Sequence, residues 1–415
     1  MDTDSVLNMT MHSTGLTNEN GERVVAALDQ FQIETPSWGY ADTGTRFGKF
    51  YQPAAAIDLG DKLADAGEVH RLTGCCPSVA VHVLWDFPAG SDPAEVVRLA
   101  GQHGVSIGSV NPNVFQDQQY KFGSFGNPNE DVRIVAMKHC RDSVELARQI
   151  GSRHISPWFA DGTNYPGQDS IRARKRRFEE GLKQLHECLA DDQILLVEYK
   201  PFEPAFYQTD IADWGMACLL AKSAGPQARV LVDTGHHYLA QNIEQIVAWL
   251  LDEGMLGGFH FNDRRYADDD LTIGSIDPYQ VFRIFHEIHG YAFDQGGTYP
   301  EIAYMVDQSH NLKPKLEAMV QTVVVAQELY AKAALVNHAA LAVHQSLGDI
   351  VGAERLLQRA FNTDVTEALV TWRRQRGLPD DPLDALRESG YIEKAANDRT
   401  ERREQLGIVQ SSSYA

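Results

Sequence analysis

The sequence predicts an α/β protein built on a (β/α)8 barrel, or TIM barrel, followed by a C-terminal α-helical extension. Up to residue 312, eight short apolar runs of strand length recur, and each ends in chemically reactive residues. The segments between them show helical periodicity, and strand–helix–strand units of about 30 residues or more favour a parallel sheet. Eight such units are typical of a closed barrel, whose functional groups lie at the carboxyl ends of the strands.

The predicted strands share an apolar body and a reactive end; they are 31–38, 79–85, 105–111, 154–159, 194–200, 230–236, 258–262 and 302–307. Predicted helices lie between them, among them 21–30, 131–150, 170–189 and 243–251. A doubly wound sheet is the alternative architecture, and it would carry a glycine-rich phosphate loop after the first strand. The sequence GYADTGT at 39–45 fits no such loop. The barrel is therefore the favoured fold.

Four parts of the chain are expected. A polar N-terminal segment covers 1–20, the barrel 21–312, the helical extension 313–398 and a charged, then serine-rich tail 399–415. The helical patterns of the extension cover 316–333, 339–347, 353–360 and 365–377. The extension carries no obvious chemistry, so we expect it to pack on the barrel or on another subunit.

Composition excludes several functions. The 415 residues include 37 basic and 57 acidic side chains, giving a net charge of −20. This charge disfavours a nucleic acid or an anionic membrane as partner. Five cysteines, an odd number without a CxxC pair, favour reduced thiols in a cytosol. The polar start resembles no signal peptide, and no apolar run approaches the roughly 18 residues of a membrane span. We therefore expect a cytoplasmic protein.

Carboxylates and imidazoles at the predicted strand ends suggest a metal centre. Glu198, Asp233, His260 and Asp307 end four separate strands and together offer mixed oxygen and nitrogen ligation. A second set follows on adjoining loops and consists of His236, Asp268 and Asp270. So many carboxylates repel each other unless a cation lies among them. This donor set suits Mn²⁺, Mg²⁺ or Co²⁺ better than structural Zn²⁺. An N-cap role is the alternative for Asp307.

Four further residues are candidates for binding a substrate. Lys200 lies two residues after Glu198, so both side chains point to one side of a strand, and Lys200 could donate to a substrate oxygen. The alternative is a simple ion pair. His82 lies on an apolar strand, where a buried structural histidine is the alternative. Trp158 and Trp38 could belong to the core or stack against a sugar.

Several motifs resemble those of bacterial L-rhamnose isomerase, closest to the broad-specificity type. They occur in the same order from about residue 21 to 395. They are PSWG (36–39) with TRF (45–47), EPAFY (203–207), VDTGHH (232–237), GFHFND (258–263) with DDD (268–270), and DQSHN (307–311). The resemblance implies a barrel, a homotetramer and two divalent ions per subunit, usually Mn²⁺, with Co²⁺, Mg²⁺ or Zn²⁺ as alternatives.

The resemblance also implies a role for each candidate residue. The ligands of a structural ion match Glu198, Asp233, His260 and Asp307, and those of a catalytic ion match His236, Asp268 and Asp270. The substrate contacts match Lys200, Trp158, His82 and Asp270, with His82 tied to ring opening. Two departures leave the breadth of specificity open: Tyr199 stands where a close relative has histidine, and the N-terminal segment and the region 51–60 diverge.

Together these observations predict an aldose–ketose isomerase that acts on L-rhamnose and forms L-rhamnulose. D-Allose, L-mannose and L-lyxose are alternative substrates. The reaction would proceed on the open-chain sugar by a hydride shift from C2 to C1, or by proton transfer through an enediol with Asp268 as base. A metal-dependent phosphodiesterase on the same barrel is the rival enzyme, and a non-catalytic sugar-binding or assembly protein is the rival of another class.

Overall fold

A computed structural model describes residues 18–42, 50–203, 207–266 and 268–408. Several predicted features lie wholly or partly outside these residues. They are most of the N-terminal segment 1–20, the TRF motif, the centre of the EPAFY motif and the end of the tail, from 409 onward.

Eight parallel strands form one sheet whose spatial order follows the sequence. They are β1 Thr35–Pro36, β2 Ser78–His82, β3 Ser106–Asn111, β4 His154–Ile155, β5 Ile194–Glu198, β6 Ala228–Asp233, β7 Leu256–Phe261 and β8 Ala303–Val306. The sheet closes at Glu34, whose N–H donates to Tyr304 O at 2.8 Å and whose carbonyl accepts from Val306 N at 2.9 Å. The predicted (β/α)8 barrel is confirmed, and the order shows none of the reversal that a doubly wound sheet requires.

A one-turn helix, Val83–Asp86, follows β2, and longer helices connect the strands and continue into the C-terminal extension. They are α1 Asn18–Gln30, α2 Leu59–Thr73, α3 Pro93–Gln102, α4 Glu130–Ile150, α5 Ile171–His186, α6 Trp214–Ala224, α7 Ile243–Asp252, α8 Pro278–Asp294, α9 Lys315–Ala334, α10 His338–Ser346, α11 Ile350–Phe361, α12 Thr366–Gln375, α13 Pro382–Glu388 and α14 Tyr391–Gln405. Among the described residues, no helix combines the length and the apolarity that crossing a bilayer requires.

Local sequence signals fix the ends of these helices. Asn129 caps α4 by accepting from Asp131 N, and Gly151 ends that helix at a φ of 75°. Asp58 caps α2 through Asp61 N in the same way. Side-chain acceptors satisfy the free N–H groups of a first turn, and glycine adopts a positive φ without steric cost.

The core lies between the barrel strands and the surrounding helices. The middle strands are buried on both faces, as in the run 195–198 of β5 and throughout β7, which is typical of parallel sheets. Aromatic rings fill the seam where the barrel closes: Phe31 packs on Tyr330 of α9 with ring centroids 4.7 Å apart, and Phe259 stacks on Phe261 at the same distance. The first helix of the extension, α9, thus packs against the barrel where the sheet closes.

The last helix differs from the sequence prediction. A tail was expected from Arg399, whereas α14 continues to Gln405. Arg399 is 3% exposed, and its guanidinium donates to Asp65 of α2 at 2.7 and 2.9 Å. This charged segment therefore forms a helix that packs on the barrel, because an acidic side chain of α2 pairs with its buried arginine. Whether barrel and extension are separate domains with the predicted boundaries stays a prediction.

Candidate metal centre

The first predicted ligand set meets at the carboxyl end of the barrel. Glu198 and Asp233 are the last residues of β5 and β6, His260 lies near the end of β7, and Asp307 follows β8. Asp233 pairs with His260 in the register of β6 and β7, and His260 pairs with Met305 of β8. One ligand atom from each of the four side chains lies within 4.8 Å of the others. This cluster could hold a metal ion.

The charges of the cluster fit a divalent cation. His260 Nδ1 lies 3.3 Å from Glu198 Oε1, 3.9 Å from Asp233 Oδ2 and 3.8 Å from Asp307 Oδ2. Burial, reinforced by neighbouring carboxylates, raises the pKa of Asp233 to about 6 and also raises the pKa of Asp307. Two buried carboxylates and a half-buried one, Asp307, surround one imidazole and are short of positive charge, and an ion bound among them would supply it.

Hydrogen bonds from neighbouring residues orient two of these carboxylates. Asp233 Oδ1 accepts from Gly235 N at 2.7 Å and from the Asn262 side-chain amide at 3.1 Å. Asp307 Oδ1 accepts from the Trp38 indole N–H at 2.9 Å. The sequence did not indicate these roles for Asn262 and Trp38. The only available signal for Asn262 was its place two residues after His260, on the same side of the chain.

The second predicted set lies beside the first but is less tightly gathered. His236 Nε2 is 3.1 Å from Asp268 Oδ1, and His236 Nδ1 is 3.1 Å from the carbonyl oxygen of Tyr199. Burial and the charges of Asp268, Asp307 and Asp233 raise the pKa of Asp270 well above its ordinary value. Within the described ranges, only the first set has ligand atoms that all meet within 4.8 Å.

A closed loop carries the two aspartates of the second set. Asp263 and Leu271 exchange two backbone hydrogen bonds of 2.9 Å, which join the ends of the loop. Asp268 and Asp270 both have left-handed backbones, with φ of 54° and 49°. Such conformations cost about 1 kcal/mol or more and persist where surrounding contacts enforce them. Asp268 N donates to Gly235 O at 3.2 Å and thereby joins the loop to the turn that carries His236.

Lys200 lies between this loop and the mouth of the barrel. Its ammonium donates to Asp268 Oδ2 at 2.6 Å and to Glu203 Oε2 at 2.8 Å, and it lies 5.1 Å from the ring centre of Trp158. Burial alone would raise the pKa of Asp268, but His236 and Lys200 outweigh it and hold that pKa well below its ordinary value. Asp268 is therefore an anion within reach of an ammonium and an imidazole.

Aromatic rings surround His82 at the end of β2. Its imidazole lies 4.0 Å from the ring of Trp85 and 4.8 Å from that of Trp38, measured between centroids. Burial, with His260 and Lys62 adding to it, lowers the pKa of His82 to about 3, so the ring is neutral. Its Nδ1 has no hydrogen-bond partner among the described residues. Phe115, which the sequence did not single out, links this group to Trp158 at 5.0 Å.

Asp86 is a further residue that the sequence patterns did not reveal. Its carboxylate accepts from Lys62 Nζ at 2.5 Å, from Ser37 Oγ at 2.6 Å and from His82 N at 2.9 Å. One buried carboxylate thus joins the end of β1, which leads into Trp38, to the end of β2, which carries His82. Its place four residues after His82 was the only sequence signal.

Comparisons with known proteins agree with this architecture. The family model described as xylose isomerase-like TIM barrel matches residues 78–294. A probable sugar isomerase of Rhizobium meliloti is 37% identical over 383 residues, which cover 91% of this chain and 88% of that protein. A probable sugar isomerase of Mesorhizobium japonicum has the same identity and coverage.

Among solved structures, a D-allulose 3-epimerase from Methylomonas sp. has a TM-score of 0.52 at 12% identity. The match covers 72% of this chain and 98% of that one, and it shows a shared fold. The chain belongs to the xylose isomerase-like TIM barrel family.

Proposed function

We propose that this protein is a metal-dependent aldose–ketose isomerase whose preferred reaction converts L-rhamnose to L-rhamnulose. The observation that carries the proposal is the convergence of Glu198, Asp233, His260 and Asp307 from four strands, beside His236, Asp268 and Lys200. The names of the two 37% identical relatives support a sugar isomerase. The motif resemblance favours L-rhamnose, with D-allose, L-mannose and L-lyxose as alternative substrates.

Two divalent ions per chain belong to this proposal, with Mn²⁺ expected and Co²⁺, Mg²⁺ or Zn²⁺ as alternatives. Glu198, Asp233, His260 and Asp307 would hold the first ion, and His236, Asp268 and Asp270 the second. When bound, such ions polarise a carbonyl and lower the pKa of a neighbouring hydroxyl. The carboxylate-rich donor set, with one imidazole in each group, favours these ions.

The chain's own residues would then bind and orient the sugar. Lys200 carries a fixed positive charge above the Trp158 ring and would donate to a hydroxyl or carbonyl oxygen of the substrate. Trp158 presents an apolar face suited to the C–H face of a sugar. His82 is neutral, and its Nδ1 has no partner among the described side chains, so it can accept or donate a hydrogen bond during ring opening.

Two routes between the aldose and the ketose are compatible with these residues. In one, a hydride moves directly from C2 to C1 while the proton of the C2 hydroxyl is transferred to O1. In the other, Asp268 removes the C2 proton to give an enediol and protonates C1 after that proton has exchanged with solvent, while the O2 proton passes to O1; Lys200 and His236 lower the basicity of this carboxylate. Aldose labelled with deuterium at C2 separates them. Retention of deuterium at C1 supports the hydride shift, and its exchange with solvent supports the enediol.

The proposal is tested by assaying metal-stripped and Mn²⁺- or Co²⁺-reconstituted protein on L-rhamnose, L-mannose, L-lyxose, D-allose and D-xylose. We expect ketose only from the reconstituted protein, with L-rhamnose the best substrate. His236→Ala, which should be about 100-fold or more less active, serves as the control. Protein that binds both ions and the sugar without isomerising any of them would contradict the proposal and favour a sugar-binding role. Cleavage of abasic DNA instead would favour the phosphodiesterase.

The cellular setting is also proposed. All five cysteines are free in the structure, and this supports a reducing compartment such as the cytoplasm. A homotetramer is the assembly that the motif resemblance implies, and sedimentation or light scattering would test it.

A further inference from the structure

Tyr199 lies next to the metal centre but points away from it. It stands between Glu198 and Lys200, whose side chains both enter the mouth of the barrel. The Tyr199 ring instead packs edge-on against His237, with ring centroids 5.3 Å apart. It is 1% exposed. The predicted ligand sets do not include it, and the proposed reaction gives it no role.

Tyr199 contacts both histidines of the His236–His237 pair. Its carbonyl oxygen is 3.1 Å from His236 Nδ1, and its hydroxyl is 2.7 Å from His237 Nε2. A hydrogen bond at Nδ1 fixes which nitrogen of His236 faces the opposite side. That nitrogen, Nε2, is the one 3.1 Å from Asp268 Oδ1. The backbone carbonyl of Tyr199 therefore helps to orient the imidazole of the second ligand set, together with Glu198 Oε1, which lies 3.3 Å from the same nitrogen.

The hydroxyl of Tyr199 holds the same turn through the neighbouring ring. His237 is fully buried, and the Tyr199 hydroxyl is the side-chain partner of its Nε2. On the other side of the turn, Arg264 Nε donates to His237 O at 3.0 Å. The turn that carries His236 is thus held on one side by Tyr199, which follows β5. On the other side it is held by Arg264, which lies in the loop of the second ligand set.

We propose that the Tyr199 hydroxyl is a positioning group for the second divalent-ion site, acting through His237 on the orientation of His236. This inference rests on the two-ion site of the proposed function. The first site should depend less on this contact, because its ligands lie at or beside strand ends and two of them, Asp233 and Asp307, are oriented by Asn262 and Trp38. Loss of the hydroxyl should therefore affect one ion and leave the other.

The chain offers a matched control at a distance from the metal centre. Tyr299 precedes β8, at the opposite end of the barrel, and its hydroxyl is 2.6 Å from Nδ1 of the buried His289. Tyr299→Phe and Tyr199→Phe each remove a tyrosine hydroxyl from a buried histidine; Tyr199 is buried and Tyr299 is half-buried. A purely structural role would give similar losses of thermal stability and no change in ion binding for either variant.

The test is a titration of metal-stripped protein with Mn²⁺, in which bound ions are counted by electron paramagnetic resonance. We expect wild type and Tyr199→Phe to bind the first ion with equal affinity. The second should bind about tenfold or more weakly in Tyr199→Phe, as is typical when a group that orients a ligand is lost. Tyr299→Phe should match wild type at both sites.

A double-mutant cycle tests the route through His237. In a His237→Leu background, Tyr199→Phe should cause no further loss of affinity for the second ion. Equal second-ion affinity in wild type and Tyr199→Phe would overturn the inference while leaving the proposed function intact. A wild-type protein that binds one ion or none would overturn the two-ion site and this inference with it.

Discussion

The two ligand sets are held by different parts of the fold. The first comes from the ends of parallel strands, where the register of the sheet brings Asp233 opposite His260. The second comes from a turn and a loop, and its two aspartates have left-handed backbones. Strand ends are fixed by the whole barrel, whereas loop residues depend on a few side-chain contacts. We therefore infer that the barrel strands position the ligands of the first site. The ligands of the second site depend on the side-chain contacts that hold their turn and loop.

Asp233→Ala is expected to have the largest effect, because Asp233 connects the two sets. Its Oδ2 lies 3.8 Å from His236 Nε2 and 3.9 Å from His260 Nδ1. Both ions should be lost and turnover should fall by about 10³-fold or more, since bound ions contribute several kcal/mol to such reactions. Metal analysis and ketose formation measure the two effects.

Asp263→Asn is the control for that substitution. Asp263 is equally buried at the mouth, but it accepts from the backbone N–H groups of Ile276 and Asp277 and contributes to neither set. Its variant should keep both ions. If Asp233→Ala still bound two ions, the inference that both ligand sets depend on Asp233 would be wrong.

His236→Ala should separate the two sets. We expect one ion to remain, bound by the strand-end ligands, while turnover falls by about 10²–10³-fold because the second ion is lost. Mn²⁺ counting together with the isomerase assay gives both numbers. Normal turnover of His236→Ala would show that His236 does not belong to the site. Loss of both ions from this variant would show that the two ligand sets are not independent.

Lys200→Met should have a smaller effect, confined to turnover. It removes the ammonium that lies 2.6 Å from Asp268 and leaves all seven proposed ligands. A hydrogen bond to a charged group contributes about 1.5–3 kcal/mol, so kcat/KM should fall by about 10- to 100-fold. Steady-state kinetics with both ions saturating measure this. Unchanged kinetics would indicate that Lys200 only forms a structural ion pair, which is the alternative interpretation given in the sequence analysis.

The smallest expected effect concerns the stability of metal-stripped protein. Burial alone would lower the pKa of His236 and of His260, but nearby carboxylates raise each to about 9. A histidine whose pKa is raised by folding stabilises the protein fully below its unfolded pKa of about 6.5, and this contribution is lost as the pH rises through 9. Stripped protein should therefore melt at a lower temperature at pH 9.5 than at pH 6.5.

The variant His260→Asn, also stripped, should show a smaller decrease because it lacks one of the two imidazoles. Differential scanning fluorimetry at the two pH values compares the proteins. A stripped wild type that gains stability with rising pH would contradict the assigned charge states.

The sequence indicated the fold and much of the site for a physical reason. A polar residue after a short apolar run marks the end of a buried strand, and parallel strands bring their carboxyl ends to one place. Glu198, Asp233, His260 and Asp307 could therefore be grouped from the sequence alone. The contacts between separate segments could not be foreseen in this way. The Trp38 bond to Asp307 and the Tyr199 bond to His237 depend on side-chain orientations that no local pattern encodes.

The C-terminal helix shows the same limit. Its arginine-rich sequence resembles a solvated tail because its acidic partners, Asp61 and Asp65, lie more than 300 positions earlier in the chain. Only the folded chain brings them together. A charge pattern therefore predicts the surroundings of a charged side chain when its ion-pair partner is near in sequence. It misleads when the partner is distant in sequence.

The two-ion proposal is tested most directly by a stepwise Mn²⁺ titration of metal-stripped protein, with bound ions and L-rhamnulose formation measured on the same samples. We expect the first equivalent to fill the strand-end set with little turnover, and isomerisation to rise with the second equivalent. Full activity with one ion bound, or no ketose from any aldose with both sites filled, would contradict the proposal.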